Sequence, residues 1–107
     1  MAILRKTFRG DFDSILRKVE NAVMDGSMSA SLEESADYCT ATGRCSVRIF
    51  ERYSYMGGNR VSMSVTLFQS GEEIYLCAAT SGGSQAMFFK INTWGEEAFL
   101  QTLEDAL

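Results

Sequence analysis

Few residues in this chain have the chemistry for acid–base or nucleophilic work: one carboxylate among apolar neighbours, Glu51, and three thiols, Cys39, Cys45 and Cys77. Glu51 sits between Ile49 and Tyr53 on a strand-like alternation, and a simple hairpin register buries it opposite Val65. A buried carboxylate loses hydration, its pKa rises, and it needs a partner such as Arg60 or a tyrosine hydroxyl. In a cavity such a group is a general-base candidate; near a sheet end or a bulge it simply turns outward. It has no second acid beside it in the sequence, and the chain has no histidine. That absence removes Ser-His and Cys-His activation and imidazole metal sites together. The three cysteines fit no zinc spacing and leave one over in any disulfide scheme. The expectation is a non-enzymatic protein with three free thiols, no cofactor and no metal.

Binding chemistry is better represented. Ser81-Gly82-Gly83-Ser84-Gln85 could turn backbone amides and hydroxyls toward an anion, with Gly82, Gly83 and Ser84 at its centre. It lacks the lysine of a P-loop and the third glycine of a dinucleotide fingerprint, and a tight connection between strands needs the same glycines. Arg48, Phe50, Arg52, Phe68 and Tyr75 form a second group. With simple registers, Phe50 lies opposite Thr66, Arg52 opposite Ser64, Tyr75 opposite Thr66 and Cys77 opposite Ser64. Aromatics flanked by arginines can grip an anionic ligand, stack bases or pack on a second subunit. A one-residue slip would exchange the faces and dissolve the cluster. Trp94 and Tyr53 could line a pocket between helix and sheet, although large aromatics there ordinarily belong to the core.

The elements that must position these groups follow from periodicity. Between Arg44 and Thr80 the chain alternates through three strands, with turn signals at Gly57-Gly58-Asn59 and Ser70-Gly71. One parity carries Val47, Ile49, Tyr53, Tyr55, Val61, Met63, Val65, Leu67, Ile74, Leu76 and Ala78 and is expected to form the core. The other carries Arg48, Phe50, Arg52, Ser54, Ser62, Ser64, Thr66, Phe68, Tyr75 and Cys77 and is expected to form an amphipathic open face. Ahead of this meander, Ala2 to Arg9 reads as a strand. Asp11 caps a helix running to about Asp25 on the stripe Phe12, Ile15, Leu16, Val19 and Val23, and Gly26 stops it. Ser27 to Tyr38 reads as an edge strand guarded by Glu33, Glu34 and Asp37. After the meander, Ala86 to Ile91 reads as a further strand beside the last. Thr93-Trp94-Gly95-Glu96 has capping-box spacing and opens a terminal amphipathic helix with Phe99, Leu100, Leu103 and Leu107 on its stripe.

A sheet with one apolar face and two helices with single apolar stripes are complementary. The predicted fold is therefore one α+β domain over residues 1–107. It is an antiparallel sheet of five to six strands with two helices on one face, in the order β-α-β4(5)-α. The order resembles that of TATA-binding-protein-like and helix-grip folds, which implies no function.

With 46% apolar residues the chain can build one core, and its apolar runs are too short to span a bilayer. A net charge of −4 with scattered basic residues argues against nucleic-acid binding. No secretory signal is visible at the N-terminus, so a cytoplasmic location is expected.

The segments Gly10-Asp11-Phe12-Asp13, Glu51-Arg52-Tyr53-Ser54, Gly57-Gly58-Asn59-Arg60-Val61-Ser62 and Thr80-Ser81-Gly82-Gly83-Ser84-Gln85-Ala86 together are similar to a small bacterial family of about this length. That family is catalogued only as a domain of unknown function. The resemblance covers nearly the whole chain and implies a compact cytoplasmic α+β protein with no assigned activity. The leading expectation is an interaction domain acting as a homodimer. The alternative is a small-molecule binder with its cavity between sheet and helices, bounded by Tyr53, Tyr55, Met63, Phe88 and Trp94.

Overall fold

The structure, a computed structural model, describes residues 2–54, 59–82, 99–101, 103–105 and 107. Strand β1 (Ala2–Arg9) leads through Gly10 into helix α1 (Phe12–Asp25), followed by β2 (Ser31–Cys39), β3 (Gly43–Ser54), β4 (Asn59–Ser70) and β5 (Glu73–Gly82). The strands form one antiparallel sheet in the order β1-β5-β4-β3-β2. β1 and β2 are thus consecutive strands on opposite edges, and α1 joins them. At 1.5 Å per residue its 14 residues extend about 21 Å, close to the roughly 19 Å separating the outer strands of a five-stranded sheet.

The helix starts where a side chain can take its first free amides. The Asp11 carboxylate accepts from the Ser14 amide at 2.9 Å and from the Ser14 hydroxyl at 2.7 Å, which holds its pKa below the usual carboxylate value. Phe12, Leu16, Val19 and Val23 are buried on one stripe. They pack with Val61, Met63, Val65 and Leu67 of β4, Ile74, Leu76 and Ala78 of β5, and Phe50 of β3. Phe99, Leu100 and Leu103, among helical residues near the C-terminus, join the same cluster.

Two turns depend on glycine. The β4–β5 hairpin closes through Gly71-Glu72, with Gly71 at φ +62°, a conformation costly for any side chain with a Cβ. At the start of β3, a Cβ on Gly43 would lie 2.9 Å from the Gln69 carbonyl oxygen, so close strand approach excludes larger residues there. Thr40 supports this corner, its hydroxyl accepting from the Gly43 amide at 3.0 Å.

The strand–helix order expected through the meander is present, with β2 at an edge. The expected strand at Ala86 to Ile91, the capping box at Thr93 and the glycine pair Gly57-Gly58 lie outside the described residues. The place beside β5 expected for 86–91 is taken by β1.

One expectation is overturned. β3 pairs with β4 so that Phe50 faces Met63, Arg52 faces Val61 and Glu51 faces Ser62. This differs by three residues from a register pairing Phe50 with Thr66. An odd shift turns the strand over. Ser46, Arg48 and Phe50 are buried on the helix-covered side, while Val47, Ile49, Glu51 and Tyr53 share the open face. The cause lies in partners that periodicity does not reveal. Arg48 is satisfied beneath α1 by Glu20 and Asp37 (below), Arg52 lies 4.6 Å from the Phe99 ring centroid, and Phe50 fills the centre of the core. By contrast, β4 and β5 pair two residues away from the expected register, an even shift that leaves Phe68 and Tyr75 on the expected face.

Candidate functional site

The open side of the sheet is built from rungs, each a line of directly paired residues whose side chains point the same way. The first runs Tyr38, Cys45, Phe68, Tyr75, Thr7 across all five strands. The second runs Ala36, Val47, Thr66, Cys77, Arg5, and the third Glu34, Ile49, Ser64, Ala79, Ile3. The first rung is the aromatic one. Phe68 and Tyr75 lie stacked with ring centroids 6.3 Å apart and planes 24° apart, yet remain 45% and 44% exposed, and Tyr38 is 66% exposed. Half-exposed rings in a line are costly in water, since covering apolar area is worth about 25 cal/mol per Å².

Beyond the third rung the face becomes polar. Arg60 Nε donates to Glu51 Oε1 at 2.7 Å, Arg60 Nη2 donates to Ser31 Oγ at 3.4 Å, and the guanidinium sits 5.3 Å from the Tyr53 ring centroid. Glu51 therefore has the arginine partner its sequence position called for, but on the open face and a third exposed rather than buried opposite Val65. The hydrogen bond from Arg60 raises the arginine's own pKa further. A bulge between Leu32 and Glu34 places acidic residues along this edge of β2.

Arg48 belongs to a different network on the covered side. Its Nε donates to Glu20 of α1 at 3.0 Å, Nη1 lies 3.1 Å from Asp37 of β2, and Nη1 also donates to the Val47 carbonyl at 3.0 Å. Ser46 donates to Asp37 at 2.6 Å. The Ser46 hydroxyl, then Arg48, holds the Asp37 carboxyl below its ordinary pKa. This network clamps α1 to the β2 edge. Arg44 makes a parallel clamp, donating to Asp13 at 2.9 Å while lying 4.2 Å from the Phe12 ring centroid.

Of the residues singled out from sequence, Phe68 and Tyr75 come together on the open face. Arg48, Phe50 and Arg52 are separated from them by the thickness of the sheet. Gly82 ends β5 opposite Val61, and Gly83 and Ser84 lie outside the described residues. Tyr38, Cys45 and Arg5 were missed as members of the face. The alternation Glu34, Ala36, Tyr38 in β2 was the available signal, but it acquires meaning only once β2 is paired with β3.

Grooves of about 710 and 220 Å³ lie around the Thr40–Gly43 turn, and one of about 390 Å³ lies on the open face, lined by Arg5, Thr7, Thr66, Phe68, Tyr75 and Cys77. The cysteines are free thiols, and among the described residues no group of three His, Cys, Asp or Glu side chains could hold a metal ion. No helix among the described residues is long and apolar enough to cross a membrane.

Fold and surface together define an antiparallel-sheet protein, helix-covered on one side and bearing an aromatic rung on the other. Its likeness to known sequences carries no activity with it. The chain belongs to a family of unknown function, DUF6054, whose sequence model matches residues 1–107. No curated protein matches the chain.

Proposed function

We propose that this chain is a non-enzymatic interaction domain that works as a homodimer and associates through the open face of its sheet. The observation carrying this reading is the Tyr38–Cys45–Phe68–Tyr75 rung, three large aromatic rings around a small thiol, the rings left about half-exposed or more on a five-strand surface. The same reading takes the architecture as α+β in the order β-α-β4-α, with both helices on the covered side. Burial of Phe99, Leu100 and Leu103 in the cluster that holds α1 supports it. It also takes the protein as cytoplasmic and independent of nucleic acid, supported by three unpaired thiols and the net charge of −4.

A second reading rests on the 390 Å³ groove, where Arg5 stands beside the stacked Phe68 and Tyr75 rings and could hold a small planar anion. It would sit on the open face, rather than between sheet and helices.

Sedimentation and native mass spectrometry separate the two. Wild type at roughly 10–100 µM, a range suited to weak interfaces, should be dimeric. Phe68→Glu combined with Tyr75→Glu should yield a folded monomer, because a two-fold contact uses each residue twice. A monomeric wild type, or a double variant still dimeric, defeats the homodimer reading. A monomer retaining a small molecule favours the groove.

A further inference from the structure

We propose that, in the homodimer through the open face, the two-fold axis runs along β4, so that the basic β1 edge of one copy lies over the acidic β2 edge of the other. This rests on the self-association reading and specifies its geometry. β4 is the middle strand of five, so an axis along it exchanges the outer strands while keeping each rung level with itself. Phe68 then meets its own counterpart, Tyr75 lies over the small Cys45, and Tyr38 lies over Thr7.

Charge selects this axis. Arg5 ends the second rung on β1, and Glu34 ends the third rung on β2. Neither has an ion-pair partner among the described residues. Arg9, the other outward arginine of β1, is already engaged by Glu72 and Glu73 at 3.7 and 3.3 Å. With sheets packed about 10 Å apart and rungs about 7 Å apart, an arginine and a glutamate at the edges reach each other across the gap. An axis across the strands would instead lay β1 on β1 and β2 on β2, setting like charges against each other.

The available area is adequate. Five strands about 4.8 Å apart and about eight residues long make a face of roughly 600 Å² in projection. Two such faces bury about 1,200 Å² before side-chain relief is counted, at the threshold of specific interfaces.

Dimer dissociation constants from sedimentation equilibrium test the axis. Arg5→Glu and Glu34→Arg should each weaken the dimer roughly tenfold. The two substitutions in one chain reverse both partners, keep the attraction, and should return the constant to within about threefold of wild type. Urea midpoints near wild type confirm that the variants are folded. If both single substitutions leave the constant unchanged, or the double variant is as weak as the singles combined, the axis is wrong. Should Phe68→Glu with Tyr75→Glu still abolish that dimer, only the axis fails. If wild type shows no dimer, the underlying reading fails with it.

Discussion

Arg48 shows how one residue can decide which way a strand faces. A lone guanidinium under a helix would be prohibitively costly, and it is tolerated here because Glu20, Asp37 and the Val47 carbonyl meet its nitrogens. Arg48→Ala should lower stability by about 2 kcal/mol, less than a fully buried pair because Glu20 and Asp37 keep contact with solvent. Arg48→Lys should recover under half of that, since one ammonium cannot address partners on two elements; full recovery in urea denaturation would show that charge alone matters. The same network sets an acid response. Asp37 has a folded pKa below its unfolded value of about 3.9. Its contribution is therefore complete above that value and disappears as pH falls through the lower, folded one. Asp37→Asn should reduce stability at pH 7 and flatten the loss below pH ~4. An unchanged acid limb in denaturation midpoints measured from pH 6 to 2 would contradict this.

At the scale of elements, β4 carries the division between the two faces most sharply. Val61, Met63, Val65 and Leu67 are fully or almost fully buried, while Ser62, Ser64 and Thr66 alternate with them on the open side. Leu67→Asp should unfold the domain, because an aspartate there would be dehydrated among apolar side chains with no partner. Thr66→Asp should cost the fold of the single chain under about 1 kcal/mol, as expected for a surface substitution, although on the proposed axis it should also weaken the dimer. Equal damage from both at dilutions where the chain is monomeric, followed by circular dichroism on heating, would mean that the open face is buried within one chain. β4 reads unambiguously in the sequence because its two parities differ in kind. In β3 they do not: Val47 and Ile49 compete with Phe50, and the two arginines weigh against the parity that the fold buries.

At the scale of the whole molecule, α1 carries the chain across the sheet from one edge to the other. That crossing covers one side and leaves the other open. It also separates charge, with outward arginines on β1 and glutamates on β2. Covering the aromatic rung should make thermal stability depend on concentration, since mass action favours the folded dimer. The melting temperature of wild type should rise with total protein. The Phe68→Glu, Tyr75→Glu variant should melt at a temperature independent of concentration.

The amino-acid sequence by itself determined the elements whose signals are local. Asp11 and its apolar stripe specify α1, Gly71 specifies the β4–β5 turn, and the two unlike parities of β4 specify its faces. It also placed Phe68 and Tyr75 on the open side, because a register error of two residues preserves a strand's facing. Tertiary structure alone decided the facing of β3, and with it the side of the sheet on which Glu51 meets Arg60, and the seat of β1 beside β5. Each depends on groups far apart in the chain: Arg48 with Glu20, Arg52 with Phe99, Ala2 with Thr80. Hydrophobic periodicity records how apolar a side chain is, but not whether a distant carboxylate or ring will be waiting where it is buried.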